Sequence, residues 1–131
     1  MRNGLSLGDT AVVEAIVTEE MFAQFEGVIV HPAYSTVSMV YHMEWAARKL
    51  ILPYLEEQEE GVGGAVSLKH LGMATLGSSI RIEATVIELT PDRVLAKVEV
   101  RHGDRVIGLG EVKQIILTKQ LIQEKLTPRV L

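Results

Sequence analysis

Two polar residues sit where the hydrophobic pattern does not ask for them. Glu44 falls inside a long helical pattern, HPAYSTVSMVYHMEWAARKLILPYLEEQ (residues 31–58), with Val40, Met43, Ala47 and Ile51 as its neighbours. A lone carboxylate beside an apolar stripe costs free energy unless it is paired, hydrogen-bonded or protonated. It either reaches solvent from the margin of the stripe or has a task. His70 follows Val66 and Leu68 on one side of a strand-like segment, the side that should meet the helix. A histidine there is either a satisfied core residue or a base. Both outliers point toward one helix–sheet seam, where one could orient the other or both could face a common ligand.

Thr36, near the start of the helical pattern, is explained on its own by capping, as are Ser35 and Ser38. In regular helix, Thr36 and Glu44 would lie about 12 Å apart along the axis and differ by roughly 80° in direction. They could not bond each other directly. The helix start does offer backbone N–H groups and a positive dipole end to a developing oxyanion. Gly61, Gly63 and Gly64 precede the His70 segment. They either let backbone amides approach a ligand or merely end the helix. His31, His42 and His102 fall in a connector, on a helix flank and in a hairpin turn, and no spacing among the four histidines suggests a metal site. The chain has no phosphate loop, no dinucleotide fingerprint and no G-x-S-x-G elbow.

The elements that must position these residues follow from the periodicity. AVVEAIVT (11–18) suits a strand, and EEMFAQFEG reads as a short helical turn or two closed by Gly27. VIVHPAYS reads as a connector, since Pro32 disfavours helix at His31. The long helix carries Val37, Val40, Tyr41, Ala47, Leu50, Ile51, Tyr54 and Leu55 at a period near 3.6, and Pro53 should kink or end it. The acidic run at 56–60 reads as a solvated exit, and Gly61, Gly63 and Gly64 stop any helix. Beyond it the period becomes two. Ile80, Ile82, Ala84 and Val86 share one side of a strand, and Val94, Ala96, Val98 and Val100 share one side of the next. TPDR and HGDR are turns, and RVIGLGEVKQIIL is a last strand in which Gly108 and Gly110 allow bulges or close approach. Residues 119–131 form a tail or a short helix.

One long helix against about five antiparallel strands cannot be a doubly wound sheet, which needs alternating helices. An antiparallel sheet curled around that helix buries it, which is the α+β hotdog architecture over a single domain, residues 1–131. A ferredoxin-like fold would need one more helix, and a cystatin-like fold would put the helix nearer the N-terminus. Open sheet edges predict a homodimer, with a tetramer as the larger alternative.

Composition narrows the function classes. A net charge of −4 and a pI of about 5.6 give nucleic acid no electrostatic reason to bind. The absence of cysteine removes disulfides, zinc ribbons and thiol catalysis. MRNGLSLGDT has no apolar run, and no segment approaches the ~18 apolar residues of a membrane span. A cytoplasmic enzyme or binding domain with no membrane partner is expected.

Over roughly residues 10–117 the chain resembles hotdog-fold acyl-CoA thioesterases, and within them the fluoroacetyl-CoA thioesterase-like group. The resemblance is carried by TVSMVYHMEWAA on the helix, VGGAVSLKH with LGMATLG after it, and the closing G-x-G-E strand. That family's pattern has a Thr at the helix start, a Glu eight positions on and a His 26 beyond, which Thr36, Glu44 and His70 match. Its glycine seven before the His corresponds to Gly63. The resemblance implies hydrolysis of an acyl-CoA thioester without cofactor or metal, with His70 and Glu44 activating water or Thr36. It further implies an oxyanion held by amides at the helix start or at Gly63 and Gly64, and coenzyme A in a groove between subunits. The fluoroacetyl-specific enzyme has an aromatic lid with a Phe six positions before its Thr. That position here is Val30, and the chain has only two Phe, three Tyr and one Trp. A general short or medium acyl-CoA is therefore the expected substrate. A hotdog dehydratase or hydratase is the alternative, suggested by His31-Pro32 before Glu44. It lacks the Gly and second Pro usual between that His and Glu, and the D-x-x-x-x-H of hydratases. A non-catalytic acyl-CoA binding domain is the third reading.

Overall fold

The computed structural model describes residues 1–128. Seven strands and two α-helices follow in the order β1 (Thr10–Ile16), β2 (Phe22–Phe25), β3 (Val28–Tyr34), α1 (Thr36–Ile51), β4 (Glu59–His70), β5 (Ser79–Thr90), β6 (Arg93–His102), β7 (Arg105–Thr118) and α2 (Lys119–Leu126). Five strands make one antiparallel sheet in the order β1-β5-β6-β7-β4, and β2 pairs with β3 in a separate hairpin. The five-stranded sheet wraps α1. This is the hotdog fold.

The period-two segments fold as their alternation predicts. Ile80, Ile82, Ala84 and Val86 on β5, and Val94, Ala96, Val98 and Val100 on β6, are all buried on the side that meets the helix. The helix fills that concavity with Met39, Met43, Ala46, Ala47, Leu50 and Ile51, the alanines allowing close approach of its backbone. Gly108 and Gly110 are required by this contact. A Cβ on Gly108 would strike the Met39 thioether, and one on Gly110 would land on the Ser67 carbonyl oxygen of the neighbouring strand. At the other end, Pro53 stops the helix: the last intrahelical bond runs from Leu52 N–H to Arg48 O, and a 3-10 turn over Leu52–Tyr54 follows.

Three expectations hold only in part, for identifiable reasons. The expected stripe of α1 holds at Ala47, Leu50 and Ile51 but not in the first turns, where Val37 is 71% and Tyr41 63% exposed. The helix is apolar on two faces, so its period gives no unique phase. The sheet takes the Met39, Met43 and Ala46 face. Of the helical turn or two expected from residue 19, only a 3-10 turn over Glu19–Met21 forms, and the rest of residues 19–34 is a hairpin. Glu26 and Gly27 both have positive φ (52° and 79°), the geometry of a two-residue hairpin turn, and so Phe22–Phe25 pairs with Val28–Tyr34. The acidic run is an exit from the helix only through Gln58. Glu59–Gly64 are the first half of β4, and Gly61 belongs there because a side chain would collide with Ile51. Residues 119–126 form the short helix, capped by the Thr118 hydroxyl; the end of the expected tail, 129–131, lies outside the described residues. Among the described residues, no helix is long and apolar enough to cross a membrane.

Gly110→Ala tests the close packing of β7 against β4. It is expected to lower the stability of the fold by about 3 kcal/mol, read as a reduced urea midpoint; an unchanged midpoint would contradict the packing described here.

Candidate functional site

The start of α1 determines which hydroxyl is free. Ser35 is the N-cap: its Oγ accepts from Ser38 N–H at 3.0 Å. The Ser38 hydroxyl in turn donates to Met21 O at 3.2 Å, tying the cap to the turn before β2. With the cap filled, Thr36 is not needed to start the helix. Its Oγ1 lies 2.8 Å from Nδ1 of His70, 34 residues further along the chain.

His70 is held by its strand. It is the last residue of β4, opposite Gly108 on β7, and the chain after it is stitched down by Leu71 N–H and Gly72 N–H, both donating to Ile107 O. When Thr36 donates to Nδ1, the neutral ring carries its proton on Nε2. That Nε2 is enclosed and has no hydrogen-bond partner among the described residues. An enclosed polar atom without a partner is uncommon and marks a place where a further group belongs. Thr36 and His70 line a cleft of about 380 Å³ together with His31, Ala33, Tyr34 and Met73. Its walls are strapped together by Tyr34 N–H donating to Ala74 O at 2.9 Å. A depression of comparable size, about 410 Å³ near Ser67, Arg93, Glu111 and Lys113, lies on the outer face of the sheet, away from this pair.

Glu44 lies elsewhere. It is exposed, and within one chain it contacts neither Thr36 nor His70 by hydrogen bond. Its carboxylate rests against Gly63, where an added Cβ would come within 3.2 Å of Oε1. Gly64, next to it, is the extra residue of a β-bulge: Gly63 pairs with Gln114, and Ala65 with Lys113. The two glycines therefore accompany Glu44 rather than the Thr36–His70 pair. Arg48, one turn beyond Glu44, is taken by Glu60 through two hydrogen bonds of 3.2 and 3.0 Å. Those bonds hold the Glu60 carboxyl below the usual carboxylate range. Glu44 makes no ion pair among the described residues.

The same side of α1 is otherwise apolar and exposed, with Val37, Tyr41 and Trp45 uncovered. Beside it, β4 pairs on one edge only, with β7, and its Val62 and Val66 are also exposed. A free strand edge flanked by large apolar side chains is a pairing surface.

Sequence reasoning missed one buried pair. His42, read as a helix flank, is 3% exposed, and its Nδ1 lies 2.7 Å from the hydroxyl of Tyr34, itself 2% exposed. The rings stack at 5.7 Å. Burial lowers the pKa of His42 and raises that of Tyr34, so both are neutral. Position 42 is buried because it flanks the Met39–Met43 face; placing the stripe on that face would have revealed it. Among the described residues there is no cluster of metal-ligating side chains.

Comparison with known proteins follows the same lines. A family model described as fluoroacetyl-CoA-specific thioesterase matches residues 17–120. The fluoroacetyl-CoA thioesterase of Streptantibioticus cattleyicolor is 28% identical over 96 residues, 73% of this chain and 66% of that protein, so the match spans just under two thirds of the relative's length. Among solved structures, a Thermus thermophilus protein described as a thioesterase superfamily member is 42% identical, with a TM-score of 0.89 over 94% of this chain and 91% of that one. The structure of the fluoroacetyl-CoA thioesterase FlK superposes with a TM-score of 0.87 over 96% of this chain and 100% of that one. At 22% identity that second likeness is one of fold.

The buried His42 makes stability depend on pH. Its folded pKa is lowered, so the unfolded chain takes up the proton first as pH falls, and stability drops below about pH 6.5. Urea midpoints at pH 7.5 and 5.5 should differ in the wild type, and the difference should shrink in His42→Phe. An equal loss in both proteins would contradict this assignment.

Proposed function

The chain belongs to the fluoroacetyl-CoA-specific thioesterase family, and on that footing we propose that it hydrolyses a short or medium acyl-CoA thioester to the free acid and coenzyme A. The observation that carries the reading is the 2.8 Å hydrogen bond between the Thr36 hydroxyl and His70 Nδ1 at the cleft. A hydroxyl that is free of capping duty and bonded to an imidazole nitrogen able to take its proton is a nucleophile with its base in place.

The chemistry then runs in two halves. Thr36 Oγ1 attacks the thioester carbonyl carbon while its proton passes to His70 Nδ1. The oxyanion is met by backbone N–H groups of the helix start, at the positive end of the helix dipole. Collapse breaks the C–S bond, and the thiolate of coenzyme A takes the proton from His70. Water then attacks the acyl-threonine ester with His70 again as base, releasing the acid and restoring the hydroxyl. No metal or redox cofactor enters these steps.

Glu44 and the glycine pair join this site through a homodimer. Antiparallel pairing of β4 with the partner's β4, with the two exposed α1 faces back to back, sets the ends of both elements against each other. Thr36 and His70 of one protomer then meet the partner's Glu44, Gly63 and Gly64. This arrangement is supported by the free edge of β4, the apolar cover of Val37, Tyr41 and Trp45, and the separation of the two groups within one chain. The partner's Glu44 carboxylate supplies an acceptor for a proton of the attacking water, and the partner's glycines allow close approach of the acyl group. The acyl end is expected to be bounded by small and flexible side chains, Ala23, Ala33, Leu71 and Met73, with Val30 at the lid position. Such walls suit a general aliphatic acyl group better than a fluoroacetyl group alone. The protein is accordingly expected to act in the cytoplasm as a dimer.

Thiol release from a panel of acyl-CoAs tests the reading. Thr36→Val, His70→Gln and Glu44→Gln are each expected to lower kcat by roughly 10²-fold or more while the thermal melt is retained. Full turnover in folded Thr36→Val and His70→Gln would contradict the mechanism. Binding of acyl-CoA without thiol release would favour a binding domain, and loss of water from 3-hydroxyacyl thioesters without thiol release would favour a dehydratase.

A further inference from the structure

The cleft is joined to one unusual arginine. Among the described residues, Arg2, Arg48, Arg81, Arg93 and Arg101 each stand beside a carboxylate, whereas Arg105 has none. The adjacent Asp104 makes no ion pair with it, and Glu99 on the neighbouring strand is taken by Arg101. Arg105 is nevertheless held in place. Its Nη2 donates to Met73 O at 3.2 Å, on the cleft wall, and lies 3.2 Å from His102 Nδ1. Both hydrogens of Nη2 are thus committed, and the planar guanidinium is oriented. Nη1 and Nε, exposed with the residue, remain as a donor fork. Because an arginine can only donate, His102 Nδ1 must accept, so the neutral imidazole carries its proton on Nε2. That is one more donor beside the fork.

We propose, building on the thioesterase reading above, that Arg105 and His102 are the anchor for the phosphate groups of coenzyme A. An oriented guanidinium fork with an imidazole N–H beside it matches phosphate oxygens in charge and geometry. The position fits as well. His70 pairs with Gly108, Leu71 and Gly72 bond Ile107, and Met73 O accepts from Arg105, so the wall segment His70–Met73 runs beside β7 toward the arginine. Arg105 lies three strand positions from Gly108, which is opposite His70, roughly 10 Å away. An extended pantetheine arm is longer than that. A thioester carbon held at Thr36 therefore leaves the phosphates within reach of the β6–β7 turn, where Gly103 adopts φ +62° and brings His102 and Arg105 side by side.

The experiment compares one acyl group on two carriers: coenzyme A and the phosphate-free N-acetylcysteamine. Arg105→Ala is expected to raise KM for the CoA thioester about tenfold or more, with kcat within about twofold. The kcat/KM for the phosphate-free thioester should not change. His102→Ala should give a smaller loss in the same direction. A 3′-dephospho-CoA thioester assigns the contact: an effect that disappears identifies the 3′-phosphate, and one that persists identifies the diphosphate. Arg105→Lys keeps the charge without the fork and gives an intermediate KM, which serves if the alanine variant does not fold. Equal losses on both carriers, or no change on either, would overturn the anchor. If the wild type cleaves neither substrate, the thioesterase reading fails, and the anchor is judged by CoA binding in calorimetry. Affinity reduced tenfold in Arg105→Ala supports it, and equal affinity overturns it.

Discussion

A helix begins with backbone N–H groups that need acceptors, and in this chain three hydroxyls compete for the work. Ser35 takes it, with Ser38 linked back to Met21. The consequence is chemical rather than structural. Thr36, one position later, keeps a hydroxyl that the helix does not use, and the sheet brings His70 to it. Had Thr36 been the cap, its oxygen would have been turned toward the first helical turn and His70 would have faced a backbone. The cap, the Thr36–His70 bond and the cleft between β3 and the β4–β5 loop therefore stand or fall together.

The sheet supplies the second constraint. His70 can reach the helix start only because β4 is drawn tightly against β7, and that approach depends on Gly110, which lies under the Ser67 carbonyl, and on Gly108, which admits Met39. Glycines at these positions are packing devices, whereas Gly63 is open toward Glu44 and Gly64 makes a bulge on the edge strand. The same local residue type thus serves the core on β7 and, in the proposed dimer, the acyl group on β4.

Much of this was legible in the sequence where two signals agreed. The alternation of Ile80 to Val86 and Val94 to Val100 specified the inner face of the sheet, and one long helix among strands specified the fold. Glu44 and His70 stood out because they interrupted apolar patterns, and Thr36 only because it matched a family's spacing to them. What was not legible had a common cause: signals that are equally consistent with two structures. An α1 that is apolar on two faces left its phase open, which hid His42 and put Val37 and Tyr41 on the wrong side. Glu26-Gly27 can end a helix or turn a hairpin, and the turn won because Phe22–Phe25 and Val28–Tyr34 can pair. The separation of Glu44 from His70 followed from neither periodicity nor spacing; it needed the course of β4 along the helix.

That separation can be read out in mixed dimers. In the proposed dimer each site takes Thr36 and His70 from one protomer and Glu44 from the other. Thr36→Val and Glu44→Gln, each inactive alone, should therefore complement when unfolded together and refolded. Half of the dimers would be mixed and each would carry one intact site, so about a quarter of wild-type thioester hydrolysis should return. A mixture that forms mixed dimers yet stays at the level of its parents would contradict the shared site.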